Sequence, residues 1–203
     1  APPSFPDLFD VDKSFNGSVL AALAAARASN LAKPEASAVV TLGTSRPVYQ
    51  LDQPIEIPNR VTLVGASPDV SLIFNLSVPL LNCNLANTSC QWCQDCKSFP
   101  GAVWSAGSDW GLHNMTVLAL AAPAPVYHNA APIVWSHANS TRFTITGVTI
   151  RLAQVNMSNA LRIDSSTYFT ISNNTLIQAG SCVTSVQERF DSAVILYVSN
   201  SSD

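Results

Sequence analysis

The sequence predicts an all-β chain wound as a solenoid, in which successive passes of the backbone lie on one another. Three observations predict it. The first is a phrase that returns: Val61-Thr62-Leu63-Val64-Gly65, then Trp110-Gly111-Leu112-His113-Asn114-Met115-Thr116-Val117, then Phe143-Thr144-Ile145-Thr146-Gly147-Val148-Thr149-Ile150, then Phe169-Thr170-Ile171-Ser172-Asn173-Asn174-Thr175-Leu176. Each copy has apolar residues two apart, a Gly or Asn, and a further apolar step. Alternation with period two is a strand signal, and Gly or Asn tolerates a left-handed bend between two strands. The second is a further strand in the same phase: Ala102-Val103-Trp104-Ser105, Ile133-Val134-Trp135-Ser136, Leu161-Arg162-Ile163-Asp164 and Val194-Ile195-Leu196-Tyr197. The steps from Trp104 to Trp135, to Ile163 and to Leu196 are 31, 28 and 33 residues, as expected where strands keep register and surface loops vary. The third is Pro47, Pro54, Pro58 and Pro68 between short apolar runs. A central strand cannot hold proline, so these mark corners.

In chain order, residues 1–15 hold Pro2, Pro3, Pro6, Asp7, Asp10 and Asp12 and are expected as an extended N-terminal arm. Asn16 or Ser14 would cap a helix over Val19 to Leu31, which is rich in Ala, carries Leu20, Leu23 and Leu31 as its apolar stripe, and ends before Pro34. That helix would cover the open strand edge of the first pass. Short strands follow over Ala38 to Leu42, Val48 to Leu51, Ile55 to Ile57, Val61 to Val64 and Val70 to Phe74. A long Cys-rich loop is expected at 75–100, with further loops from Ala121 to Pro132 and Gln178 to Asp191. Residues 16–203 read as a single domain, open or incomplete at its C-terminal end.

The segment "VVTLGTSRPVYQLDQPIEIPNRVTLVGAS", followed by "FTITGVTI" and "YFTISNNTL", resembles the right-handed parallel β-helix of the pectin-lyase-like superfamily, over most of residues 16–203. The resemblance implies a right-handed parallel β-helix with an N-terminal capping α-helix. It also brings the polysaccharide lyases and glycoside hydrolases of that superfamily, besides its adhesins, tail proteins and surface proteins. Inward side chains should stack in columns about 4.8 Å apart. The expected columns are Ala102, Ile133, Leu161 and Val194; Trp104, Trp135, Ile163 and Leu196; Trp110, Phe143 and Phe169; and Leu63, Leu112, Ile145 and Ile171.

Composition narrows the function classes. Charged residues are only 11%, hydrophobic residues 47% and the net charge −3, so no basic stripe suits nucleic acid. No run reaches the roughly 18 apolar residues of a membrane span. The sequons Asn16, Asn75, Asn87, Asn114, Asn139, Asn156, Asn173 and Asn200 exceed the roughly three expected by chance for this acceptor pattern. They point to an N-glycosylated protein of the eukaryotic secretory pathway, secreted or on the extracellular surface, with N-linked glycans attached. Ala1-Pro2-Pro3 reads as a terminus left after cleavage of a signal peptide. Cys83, Cys90, Cys93, Cys96 and Cys182 could suit metal or an iron–sulfur cluster by spacing, but disulfides agree with that compartment, with connectivity unknown and one thiol left over.

Candidate chemistry is sparse. Trp104 and Trp135 could form a sugar-stacking platform, but the period-two phase places them in the core. Trp92 is a candidate sugar-binding residue, or a cover for a disulfide. Asp164 and Arg162 share one face, with His137 one pass below, as candidate catalytic residues, and a surface ion pair is the plainer reading. Three scattered histidines give no metal spacing, and no cofactor is expected. Asn114 and Asn173, at the bend of the repeated phrase, are either an internal ladder of amides or glycan carriers, and the acceptor Thr after each favours glycans. The function expected is a structural surface, cell-wall or fibre module. The alternatives are a polysaccharide lyase or glycoside hydrolase, and a non-catalytic polysaccharide-binding module. Self-association, or another chain at the open C-terminal edge, is the expected protein partnership.

Overall fold

The structure, a computed structural model, describes residues 6–76, 102–121, 133–136, 140–152, 159–178 and 194–199. The five cysteines, Trp92, His128, His137 and the sequons Asn87, Asn139, Asn156 and Asn200 lie outside the described residues.

The chain begins with β1 (Asp7–Asp10), α1 (Val11–Phe15) and α2 (Val19–Ala32). Residues 7–15 are therefore not a free extended arm. β1 pairs in parallel with β2 (Ala38–Leu42), and α1 is capped by Asp10, whose Oδ1 accepts from Asp12 N and Lys13 N, both at 3.1 Å. The cap of α2 is Ser18, not Asn16 or Ser14: Ser18 Oγ accepts from Ala21 N at 3.3 Å, while Asn16 ends α1 at φ 50°. The buried face of α2 is Val19, Ala22, Leu23, Ala26 and Asn30, at helical spacing. Leu31, expected in the apolar stripe, is 76% exposed.

Next come β3 (Val48–Leu51), β4 (Ile55–Glu56), β5 (Val61–Gly65), β6 (Ser71–Leu76), β7 (Val103–Ser105), β8 (Gly111–Ala121), β9 (Val134–Ser136), β10 (Thr144–Leu152), β11 (Asn159–Asp164), β12 (Thr170–Ser172), β13 (Thr175–Gln178) and β14 (Val194–Ser199). Every pairing between these strands is parallel. One row runs β1-β2-β5-β8-β10-β12, and a second β4-β7-β9-β11-β14. The long strands β8 and β10 bend at Asn114 and Gly147, so their later halves join a further row with β3, β6 and β13. Residues between strands cross corners, and several of these adopt φ near +55°: Arg60, Asp109, Arg142 and Tyr168 each stand just before the first strand of a pass. The left-handed region is unfavourable for such side chains. It is held by bonds between passes, from Arg60 N to Ser108 O, Asp109 N to Thr141 O and Arg142 N to Thr167 O.

The register sets the core. Leu63 pairs with Leu112, Leu112 with Ile145, and Ile145 with Ile171. The first three are fully buried, with Ile171 packed partly against them. Trp110 stacks on Phe143 at 4.7 Å between ring centres, and Phe143 on Phe169 at 5.2 Å. Each such stacked pair adds about 0.5–1.5 kcal/mol beyond its burial. Both expected columns are present.

The columns expected for the Trp104 row differ. Val103, Val134 and Leu161 share one register position with Leu196, and the first three are fully buried. Trp104 and Trp135 align with Arg162 and Tyr197 and are only half-buried. Ser105 and Ser136 align with Ile163 and are buried. The two tryptophans therefore face outward, not into the core. Ala102 and Ile133 are buried as expected, but at the corner, where two successive residues can both meet the interior.

The inward serines carry the polar load of the corners. Ser140 Oγ donates to Gly107 O at 2.7 Å and accepts from Trp110 Nε1 at 2.6 Å. Ser105 Oγ donates to Ile57 O at 2.7 Å. A buried indole N–H without a partner costs about 1–3 kcal/mol. Ser140→Ala should lower stability by about that amount in chemical denaturation. Ile145→Asp, which places a charge in the apolar column, should abolish the cooperative unfolding transition seen by circular dichroism.

Candidate functional site

The outward face of the second row gathers the candidate catalytic residues. Strand alternation places Arg162 and Asp164 on the same face of β11. Arg162 Nε donates to Asp164 Oδ2 at 2.6 Å, and Trp135 Nε1, one pass below, donates to the same oxygen at 2.8 Å. The Arg162 guanidinium lies 4.9 Å from the centre of the Trp135 ring, a cation–π contact. The Asp164 side chain is 13% exposed. The ion pair and the indole thus occupy one carboxylate oxygen together. Glu56 and Trp104 continue the row by register, and Glu56 is joined to Arg27 of α2 at 3.3 Å. The structure therefore brings together Asp164, Arg162 and Trp135. Period-two phase with Ala102 and Ile133 predicts a core place for the tryptophan, and the register overturns it. The signal that could have found it is the lateral match of Val-Trp-Ser, Val-Trp-Ser and Leu-Arg-Ile, which puts an arginine in its row.

A second polar centre was not expected from the sequence. Asp12, 1% exposed in its side chain, accepts through Oδ2 from Ser45 N at 2.8 Å, Tyr49 Oη at 2.9 Å, Thr44 Oγ1 at 3.2 Å and Arg46 N at 3.3 Å. Its Oδ1 sits 2.9 Å from Arg46 Nε, an ion pair whose N–H is not aimed at the oxygen. Burial pushes this carboxyl up, but the donors from Ser45, Tyr49, Arg46 and Thr44 outweigh it and hold it below the ordinary value. Burial, reinforced by the Asp12 charge, pushes the Tyr49 phenol up to about 12. The Tyr49 hydroxyl also accepts from Gly43 N at 2.6 Å. This centre ties α1 to the loop between β2 and β3, a structural task.

Around the first strands of each pass, Arg142 grips Asp109 with two bonds, at 2.7 and 2.8 Å. Those bonds hold the Asp109 carboxyl below its ordinary value. His113 Nε2 lies 2.6 Å from Thr144 Oγ1, its ring resting over Gly111, where a Cβ would come within 3.0 Å of Nε2. Burial lowers the His113 pKa below its ordinary 6.5. Near the N-terminus, Ser29 Oγ donates to Asp7 Oδ2, and Lys33 Nζ lies 2.9 Å from the same oxygen.

Of the described sequon asparagines, Asn16, Asn75 and Asn173 are exposed. Asn114 is half-buried, and its Nδ2 donates to Gly65 O at 2.9 Å. Asn174, the neighbour of Asn173, bonds the pass below two bends later: Nδ2 donates to Ile145 O and Oδ1 accepts from Val148 N, both at 2.8 Å. Among the described residues no set of three or more His, Cys, Asp or Glu converges as a metal site, and no helix is long and apolar enough to cross a membrane.

No protein-family model matches the sequence, and no curated protein matches it. The fold does match a solved structure, the crystal structure of Dettilon tailspike protein (gp208), with a TM-score of 0.58 at 10% sequence identity. The match covers 96% of this chain and 38% of the tailspike chain. The likeness shows a shared fold, mostly β with parallel strands, and this chain spans well under half of that protein.

The His113 geometry gives a pH test. A histidine whose folded pKa is depressed binds its proton more readily when unfolded, so stability is full above about 6.5 and is lost as pH falls from there through the folded value. The thermal midpoint should fall between pH 7.5 and 5, and His113→Gln should flatten that slope. The carboxylates of Asp12 and Asp109 act in a separate window, below their ordinary 3.8.

Proposed function

We propose that this chain is an extracellular, N-glycosylated module built as a right-handed parallel β-helix, covered at its N-terminal end by α2, and that it serves as a structural element of a surface, wall or fibre. The use of the acids among the described residues carries this reading. Glycoside hydrolysis needs two carboxyl groups held about 5–10 Å apart, one of them able to donate a proton. Asp7, Asp10, Asp12, Glu56, Asp109 and Asp164 each face a lysine or arginine, and Glu35, Asp52 and Asp69 lie exposed in loops. The ion pairs are spent on holding corners, caps and strands together. The density of sequons supports the compartment, and the exposure of Asn16, Asn75 and Asn173 supports a glycan coat. Shared fold leaves activity open, so the tailspike likeness supports the architecture and adds nothing on substrate.

The outward position of Trp104 favours a second reading, a non-catalytic polysaccharide-binding module. Its indole is half-exposed beside the Trp135–Arg162–Asp164 cluster. Incubation with acidic and neutral polysaccharides separates these readings from the enzymatic one. The structural reading expects no new reducing ends, no unsaturated products and no retention on immobilised glycans. Retention that Trp104→Ala abolishes would establish the binding module, and released product would overturn both.

A further inference from the structure

The two sequons at the bends of the repeated phrase have the same backbone and opposite surroundings. Asn114 and Asn173 both adopt φ 55°, and Gly147 holds the bend between them in sequence at φ 67°. Asn tolerates this region better than other side chains, so the bend alone explains an asparagine at both places. What each amide then does differs. The Asn114 amide reaches the pass below, and its Nδ2 donates to the Gly65 carbonyl. The bend sits so close over Gly65 that a Cβ there would come within 2.2 Å of Asn114 O. The acceptor hydroxyl of the same sequon is also engaged, Thr116 Oγ1 donating to Pro68 O at 3.3 Å. The Asn173 side chain is exposed and makes no hydrogen bond among the described residues, because Asn174 reaches down instead, bonding both Ile145 O and Val148 N. Thr175, which completes that sequon, is exposed as well.

We infer that Asn173 is a glycan-bearing site and that Asn114 is a structural amide that stays unmodified in the folded protein. An N-linked sugar is joined to Nδ2, the atom with which Asn114 bonds the pass below, and a bulky substituent needs a surface position. At Asn114 the sugar would replace one hydrogen of the nitrogen that bonds Gly65 and would have to fit beside that contact at a half-buried side chain. At Asn173 it leaves the bend untouched, since the stitching belongs to the next residue. The doublet Asn173-Asn174 divides between two side chains the tasks that would collide on one.

The inference rests on the reading of the chain as an N-glycosylated secreted protein, and the test separates the two. The full chain is secreted from a eukaryotic host, and peptides are mapped by mass before and after enzymatic removal of N-glycans. Glycan on the Asn173 peptide and none on the Asn114 peptide is expected. Asn173→Gly, which keeps the left-handed bend, should remove one glycan's mass and leave the thermal midpoint unchanged. Asn114→Gly, which keeps the left-handed bend and removes the amide, should leave the mass of attached glycan unchanged and lower the midpoint by about 2–4 °C, the effect of losing one hydrogen bond in a chain of this size. Asn174→Ala keeps the Asn173 sequon and should lower the midpoint while the glycan remains. Glycan found on Asn114 of the folded protein, or a midpoint indifferent to Asn114→Gly and Asn174→Ala, would overturn the division. A chain with no glycan at any sequon would overturn the glycoprotein reading and the assignment of Asn173 with it, and the stability of Asn114→Gly would then report on the structural amide alone.

Discussion

Everything in this protein depends on parallel register between successive passes of the chain. Because neighbouring strands run the same way and match residue for residue, a side chain is followed by its counterpart directly above. The interior is therefore a set of columns, Leu63–Leu112–Ile145–Ile171 and Trp110–Phe143–Phe169 among them. A shift of one residue in any pass would turn its apolar set outward. The hydrophobic effect thus enforces the register as strongly as the backbone bonds do, with each large buried side chain contributing about 1.5–3 kcal/mol before entropy is subtracted.

The same register organises the polar groups. At the corners, residues in left-handed conformation align pass by pass, and there Arg142 meets Asp109. Inside the corners, serines bond carbonyls of the neighbouring pass and hold the Trp110 indole. On the outer face, Trp135, Arg162 and Asp164 share a small network. At the N-terminal end the Asp12 carboxylate collects donors from the loop between β2 and β3 and from Tyr49 of β3. Charge is scarce in this chain, and most of what the described segments hold is paired: Arg142–Asp109 joins one pass to the next, Arg162–Asp164 lies within one strand, and the remaining pairs fix the N-terminal helices and β1.

The repeated phrase was legible because it states the register directly. Its apolar residues are two apart, and a Gly or Asn marks each bend, so strands and columns could be placed from spacing alone. The short strands before Pro54 and Pro58 were legible for the same reason. The Trp104 row was not. An indole is large and apolar, and a three-residue strand is too short for alternation to decide which face it presents. Ala102 and Val103 are both buried at a corner, so alternation with period two fails there. The N-terminal segment was misread because prolines and acids suggest solvent, while Asp10 and Asp12 there are a helix cap and a buried hub. Of the candidate site, the proximity of Asp164 and Arg162 followed from strand alternation. The part played by Trp135 depended on a register between passes that a single strand does not reveal.

The contact that tests the account most directly is the one between side chains far apart in sequence and adjacent in the column. With methyl groups of leucine and isoleucine labelled, nuclear Overhauser measurements should connect Leu63 to Leu112, Leu112 to Ile145, and Ile145 to Ile171. Absence of these contacts in a folded sample, with Leu112 or Ile145 instead reporting neighbours from another register, would contradict the stacked parallel passes.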